Sequence, residues 1–116
     1  MKIRNVLTKG IVIGATVATL TGAITSYVWA AEAKDLFSDN CASCHGPSGK
    51  GDGPAGKMLQ PPPSDFATAL KGKSDDYIKK IIKEGGAANG KSASMPAASD
   101  LTDDQIKSLV DYIKHL

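Results

Sequence analysis

The pentapeptide Cys41-Ala42-Ser43-Cys44-His45 constrains this chain more than any other stretch. Residues three and four apart share one side of a helical turn, so two thiols and an imidazole can address a single body. The spacing is that of a covalent haem attachment site. Cys41 and Cys44 can form thioethers along one edge of the macrocycle, and His45 can set its imidazole under the iron. Three other readings use the same residues. A thioredoxin-like dithiol requires a βαβ context, and no period-two strand pattern occurs. A structural zinc ion requires four nitrogen or sulfur ligands, and only Cys41, Cys44, His45 and His115 are on offer. A Cys41–Cys44 disulfide would leave His45 without a role.

The chain of 116 residues is enough for one domain. Residues 1–30 resemble a targeting segment. Lys2, Arg4 and Lys9 form a basic head, and Gly10 to Ala31 carries no charge. Val28-Trp29-Ala30 places small residues at the −3 and −1 positions of a cut after Ala30, and Ala31-Glu32-Ala33 offers a second such site. A cleaved signal peptide is the expectation. The alternative is an uncleaved anchor over residues 10–31, because that run could cross an apolar layer of about 30 Å. Without the basic head, eleven lysines face twelve acidic residues, a formal charge of −1. The basic balance of the whole chain is therefore no argument for nucleic acid. Residues 31–116 contain four aromatic side chains, Phe37, Phe66, Tyr77 and Tyr112. A domain this short builds a modest core unaided, so a cofactor is expected to fill its middle.

The pattern predicts an all-α fold. A first helix is expected from about Ala33 to Cys44, with Leu36, Phe37, Cys41 and Cys44 at helical spacing. Ser74 is a natural cap for a second helix, with Asp75 and Asp76 at its positive end, Lys79, Lys80 and Lys83 in its later half, and Gly85-Gly86 as its stop. Thr102 and Gln105 form a capping box for a third helix, with Leu101 and Ile106 as a staple. Ile106, Leu109, Val110 and Ile113 make its apolar stripe. Gly46–Lys73 and Gly85–Asp100 read as loops, the first carrying Pro61-Pro62-Pro63.

Three residues could be the second axial ligand of the iron: Met58, Met95 and His115. Met95 is favoured. It lies fifty residues after His45, in a loop just before the last helix, so the chain can wrap to the opposite face. Met58 is thirteen residues after His45, and its alternative role is packing around the haem. His115, in the last turn, would ordinarily face solvent.

The chain resembles the class I bacterial cytochromes c of the c-551, c6 and oxidase-subunit type. The resemblance is carried by Cys41-Ala-Ser-Cys44-His45-Gly46, Gly51-Asp52-Gly53-Pro54, Ser94-Met95-Pro96 and the stretch from Leu101 to Ile113. It implies three to four helices wrapped around one covalent haem, with the first and last helices crossing. It also implies His45 and Met95 as axial ligands. The proximal imidazole is expected to donate a hydrogen bond to the carbonyl of Pro54, which would fix the ring.

Two firm axial ligands leave no open position for oxygen chemistry. The implied function is single-electron transfer without catalysis, in the periplasm, by a monomer that meets soluble or membrane-bound redox proteins as donor and acceptor. A membrane-tethered cytochrome subunit shares that chemistry. A ligand sensor or weak peroxidase would follow if the sixth position were open. Between Lys50 and Lys91, eight lysines outnumber five acidic residues, so either a simply solvated surface or a weak basic ring for an acidic partner fits.

Overall fold

The backbone of the last helix begins where its cap requires. The Gln105 amide donates to Thr102 Oγ1 at 3.2 Å, and the Thr102 amide donates to Gln105 Oε1 at 2.9 Å. Two otherwise unpaired donors are thereby satisfied. This helix is the last of five in the computed structural model, which describes residues 21–116, with side chains from Trp29 onward. In chain order they are α1 (Thr21–Asn40), α2 (Ala42–His45), α3 (Phe66–Ala69), α4 (Asp75–Glu84) and α5 (Asp103–Ile113), with 3-10 turns at Gly56–Met58 and Ala87–Asn89. No strand occurs among the described residues. Replacing Thr102 by alanine removes the cap. The expected cost is about 1 kcal/mol, a fall of roughly 4–8 °C in the melting temperature of a domain this size, measurable by calorimetry.

α4 starts and stops as its sequence demands. Ser74 accepts from the Tyr77 amide at 3.2 Å, and Gly85 closes the helix through its amide to Ile81 O at 2.9 Å. Ion pairs tie α4 antiparallel to α5 at both ends: Lys83 to Asp103 at 2.6 Å, and Lys114 to Asp75. The Lys83 ammonium holds the Asp103 carboxyl below the usual carboxylate range. Its contribution is present above that range and is lost as pH falls through the lowered value. All four groups are exposed, so these pairs set alignment more than stability.

α5 is the spine of the core. Its Ile106, Leu109, Val110 and Ile113 are buried together with Phe37 of α1 and Ile78 of α4. Ala33, 2% exposed, lies one turn before Phe37 on the same face of α1. Glu32 accepts from Gln105 Nε2 at 3.3 Å where α1 meets the start of α5.

Three features depart from expectation. α1 spans Thr21–Asn40, rather than running from Ala33 to Cys44. Between Gly22 and Ala33 no glycine or proline interrupts the run, so the helix continues backward through Trp29 and Ala30, both exposed. Second, the chain leaves the helix at Cys41 (φ −123°, ψ −38°), and α2 is a separate turn. Third, the loop of residues 46–73 contains α3, started by Asp65, whose carboxylate accepts from the Ala67 amide at 2.8 Å. The first half of the uncharged run lies outside the described residues; among those described, no helix is long and apolar enough to cross a membrane.

Candidate functional site

The attachment motif is shaped by two helix ends meeting. Asn40 folds its amide back to Leu36 O at 2.8 Å and finishes α1. The Cys44 and His45 amides then donate to Cys41 O at 3.2 and 2.9 Å, winding a single tight turn. Cys41, Cys44 and His45 are thus carried by one turn, and all three are half-buried.

A turn of four residues has carbonyls to satisfy, and the following loop does so. The Gly51 amide donates to His45 O at 2.7 Å, and the Ala55 amide donates to Ser43 O at 2.9 Å. This requires backbone against backbone. A Cβ at Gly53 would overlap Ser43 O, and one at Gly56 would overlap Cys44 O. Glycine at both positions lets the loop lie directly under the motif.

The chemistry of the donor set narrows its use. Both cysteines are free thiols. Burial, with Cys44 adding to it, pushes the Cys41 thiol up to about 11, the opposite of an activated redox dithiol. Burial holds the His45 imidazole below its ordinary range, so it is neutral at pH 7 and able to bind a metal. Among the described residues no group of three or more His, Cys, Asp or Glu is arranged to hold a metal ion. Two unpaired thiols and one neutral imidazole on a single turn fit a covalent haem.

His45 Nδ1 is buried and has no hydrogen-bond partner. The expected bond to the Pro54 carbonyl is therefore not made in this structure. Around Pro54 the loop's hydrogen bonds run elsewhere, from Ala55 to Ser43 and from Lys57 to Gly53. What touches the imidazole is Phe66, ring centroids 4.7 Å apart and planes inclined at 31°. Sequence reasoning assigned Phe66 no role at the site. The available signal was a lone aromatic directly after an Asp N-cap in a loop otherwise rich in Gly and Pro.

The three ligand candidates lie in different surroundings. Met95 is half-buried, and its carbonyl accepts from the Gly86 amide at 2.9 Å. The Ala98 amide reaches Ile82 O at 2.9 Å, so the Met95 loop is fastened to the end of α4 on both sides. Met58 is 83% exposed. His115 is exposed, its Nδ1 2.6 Å from Asp111 O.

The family model for cytochrome c matches residues 30–116. The chain belongs to the cytochrome c family. Among curated proteins, this cytochrome c is 33% identical to the cbb3-type cytochrome c oxidase subunit CcoP of Azospirillum brasilense over 88 residues, 75% of this chain and 28% of that protein. It is 34% identical to the subunit FixP of Rhizobium meliloti over 103 residues, 88% of this chain and 32% of that protein. It is 33% identical to cytochrome c6 of Leptolyngbya boryana over 84 residues, 72% of this chain and 88% of that protein. The chain thus spans about a third of the length of the oxidase subunits and most of the length of the c6 protein. As a cytochrome c it binds a covalent c-type haem and carries electrons.

Proposed function

We propose that this cytochrome c is a periplasmic single-electron shuttle whose haem is held through Cys41 and Cys44 and ligated by His45 and Met95. The observation that carries the reading is the single turn bearing two free thiols and a neutral, half-buried imidazole. A haem bound there supplies a one-electron ferric/ferrous couple, raised in potential by His and Met ligation. The protein's own part is positional. His45 approaches from the N-terminal side of the chain and Met95 from a loop fastened to α4. Lys50, Lys57, Lys71, Lys79, Lys80 and Lys91 make no ion pair among the described residues and are free to steer an acidic donor or acceptor.

A second reading has the same chemistry in a tethered form. It is favoured by relatives named as oxidase subunits. In that form residues 10–31 stay as an anchor; in the shuttle, residues 1–30 are removed. Intact mass of exported protein separates the two. The carrier reading itself is tested by potentiometric titration of the exported holoprotein followed by its absorption. The expected result is a reversible couple with a one-electron slope and no spectral change in air beyond oxidation. A chain exported without haem, or one that turns over peroxide at the rate of a peroxidase, would overturn it.

A further inference from the structure

Gly85 and Gly86 both follow α4, and only the first is needed to end it. Gly85 closes the helix at φ 80°, a positive value that favours glycine. Gly86 stands at φ −70° and ψ −43°, ordinary helical backbone that any residue adopts. Its lack of a side chain therefore answers to something other than the turn. A Cβ at Gly86 would overlap Ser92 O and stand 3.2 Å from Met95 Cβ. We propose that Gly86 is the positioning residue of Met95, its bare backbone letting the loop close tightly enough to hold the thioether in place for the iron. This rests on the reading of Met95 as an axial ligand.

Gly86 is buried, and the loop between α4 and α5 is knotted on it. Its amide donates to Met95 O at 2.9 Å, and its carbonyl accepts from the Asn89 amide at 3.0 Å and the Lys91 amide at 2.8 Å. The Met95 amide donates in turn to Ser92 O at 3.2 Å, the same oxygen that a Cβ at Gly86 would strike. Asn89 adds a side-chain brace, its Nδ2 donating to Gly85 O at 2.8 Å. A methionine side chain is long and flexible, so the backbone beneath it has to supply the constraint on the sulfur. Alanine at position 86 suits the local backbone but forces Ser92 and Met95 outward. Gly90 is the natural control. It lies in the same loop at φ 64°, with open space where a Cβ would stand. Alanine there strains the backbone without pushing on Met95.

The experiment heats ferric holoprotein of wild type, Gly86→Ala and Gly90→Ala, following the near-infrared sulfur–iron band beside the helical circular dichroism. In Gly86→Ala the band is expected to be lost well below the temperature at which the helices melt. Before heating, its ferrous form is expected to bind carbon monoxide and its reduction potential to lie below that of wild type. In Gly90→Ala the band is expected to last until the helices melt, although that melt comes earlier than in wild type. A Gly86→Ala protein with the wild-type potential, and a band that lasts to the melt, would overturn the proposal and leave Gly86 as backbone packing. Equally early loss of the band in Gly90→Ala would overturn it too, since any strain in the loop would then suffice. Should Gly86→Ala not accumulate, Asn89→Ala removes a brace of the same knot without adding bulk. Its band is expected to go before the melt, and a band that stays to the melt counts against the proposal. Failure of the underlying reading looks different: wild type would itself lack the band, or Met95→Ala would keep it.

Discussion

Changing Met95 to alanine is expected to abolish the weak near-infrared band of sulfur–iron ligation in the ferric protein. The ferrous protein then binds carbon monoxide, and the reduction potential falls, because the thioether that favours the ferrous state is gone. The loop itself should persist. Its anchors are backbone bonds, Gly86 to Met95 O and Ala98 to Ile82 O, which alanine leaves intact. Met58→Ala is the comparison. A buried methionine would cost about 2–5 kcal/mol when truncated, but at 83% exposure Met58 should change stability by no more than about 0.5 kcal/mol and leave band and potential alone. The opposite outcome, with the band lost in Met58→Ala and kept in Met95→Ala, would mean that the chain reaches the iron from the loop beside the motif. Carbon monoxide binding by wild type, with neither change having an effect, would favour the sensor or peroxidase reading.

The double change Cys41→Ser with Cys44→Ser should yield a chain that retains no haem in denaturing electrophoresis and unfolds without a sharp transition. The protein's own core explains why. Among the described residues the buried apolar ones are Ala33, Phe37, Ile78, Ile106, Leu109, Val110 and Ile113, and four of these seven lie on α5. Neither the stretch 46–73 nor the stretch 85–100 contributes one. A core of that size supplies only about 3–5 kcal/mol before anything else is ordered. A cofactor that binds the folded chain and not the unfolded one supplies the remainder. In urea, holoprotein should show a steep transition by circular dichroism, and the double variant a broad one from low denaturant. A steep transition in the haem-free chain would show that the helices suffice alone.

The parts legible in the sequence are those governed by neighbours along the chain. Ser74 and Thr102 cap as expected, the stripe on α5 is buried, and the attachment motif occupies one turn. These depend on interactions within four residues, so a local reading captures them. What escaped was set elsewhere. The early start of α1 was hidden because a largely uncharged run looks the same whether it ends a leader or begins a helix. The break at Cys41 reflects the loop of residues 46–56 drawing α2 against itself, which spacing alone does not show. Phe66 was passed over because its partner is twenty-one residues earlier in the chain. Pro54 was assigned by analogy, and the hydrogen bond assigned to it is not formed.

The packing of α1 on α5 bears on the order of assembly. The contact between Glu32 and Gln105 bridges 73 residues, whereas Lys83 and Asp103, joining α4 to α5, are 20 apart. Closing the longer loop costs about 1 kcal/mol more chain entropy, and nonlocal pairings form late for that reason. The α4–α5 hairpin is therefore expected to take shape first, with α1 docking onto it afterwards, an order that φ-values on the two interfaces would check. Because α1 leads directly to the turn that bears the cysteines, docking of α1 and seating of the haem become one step.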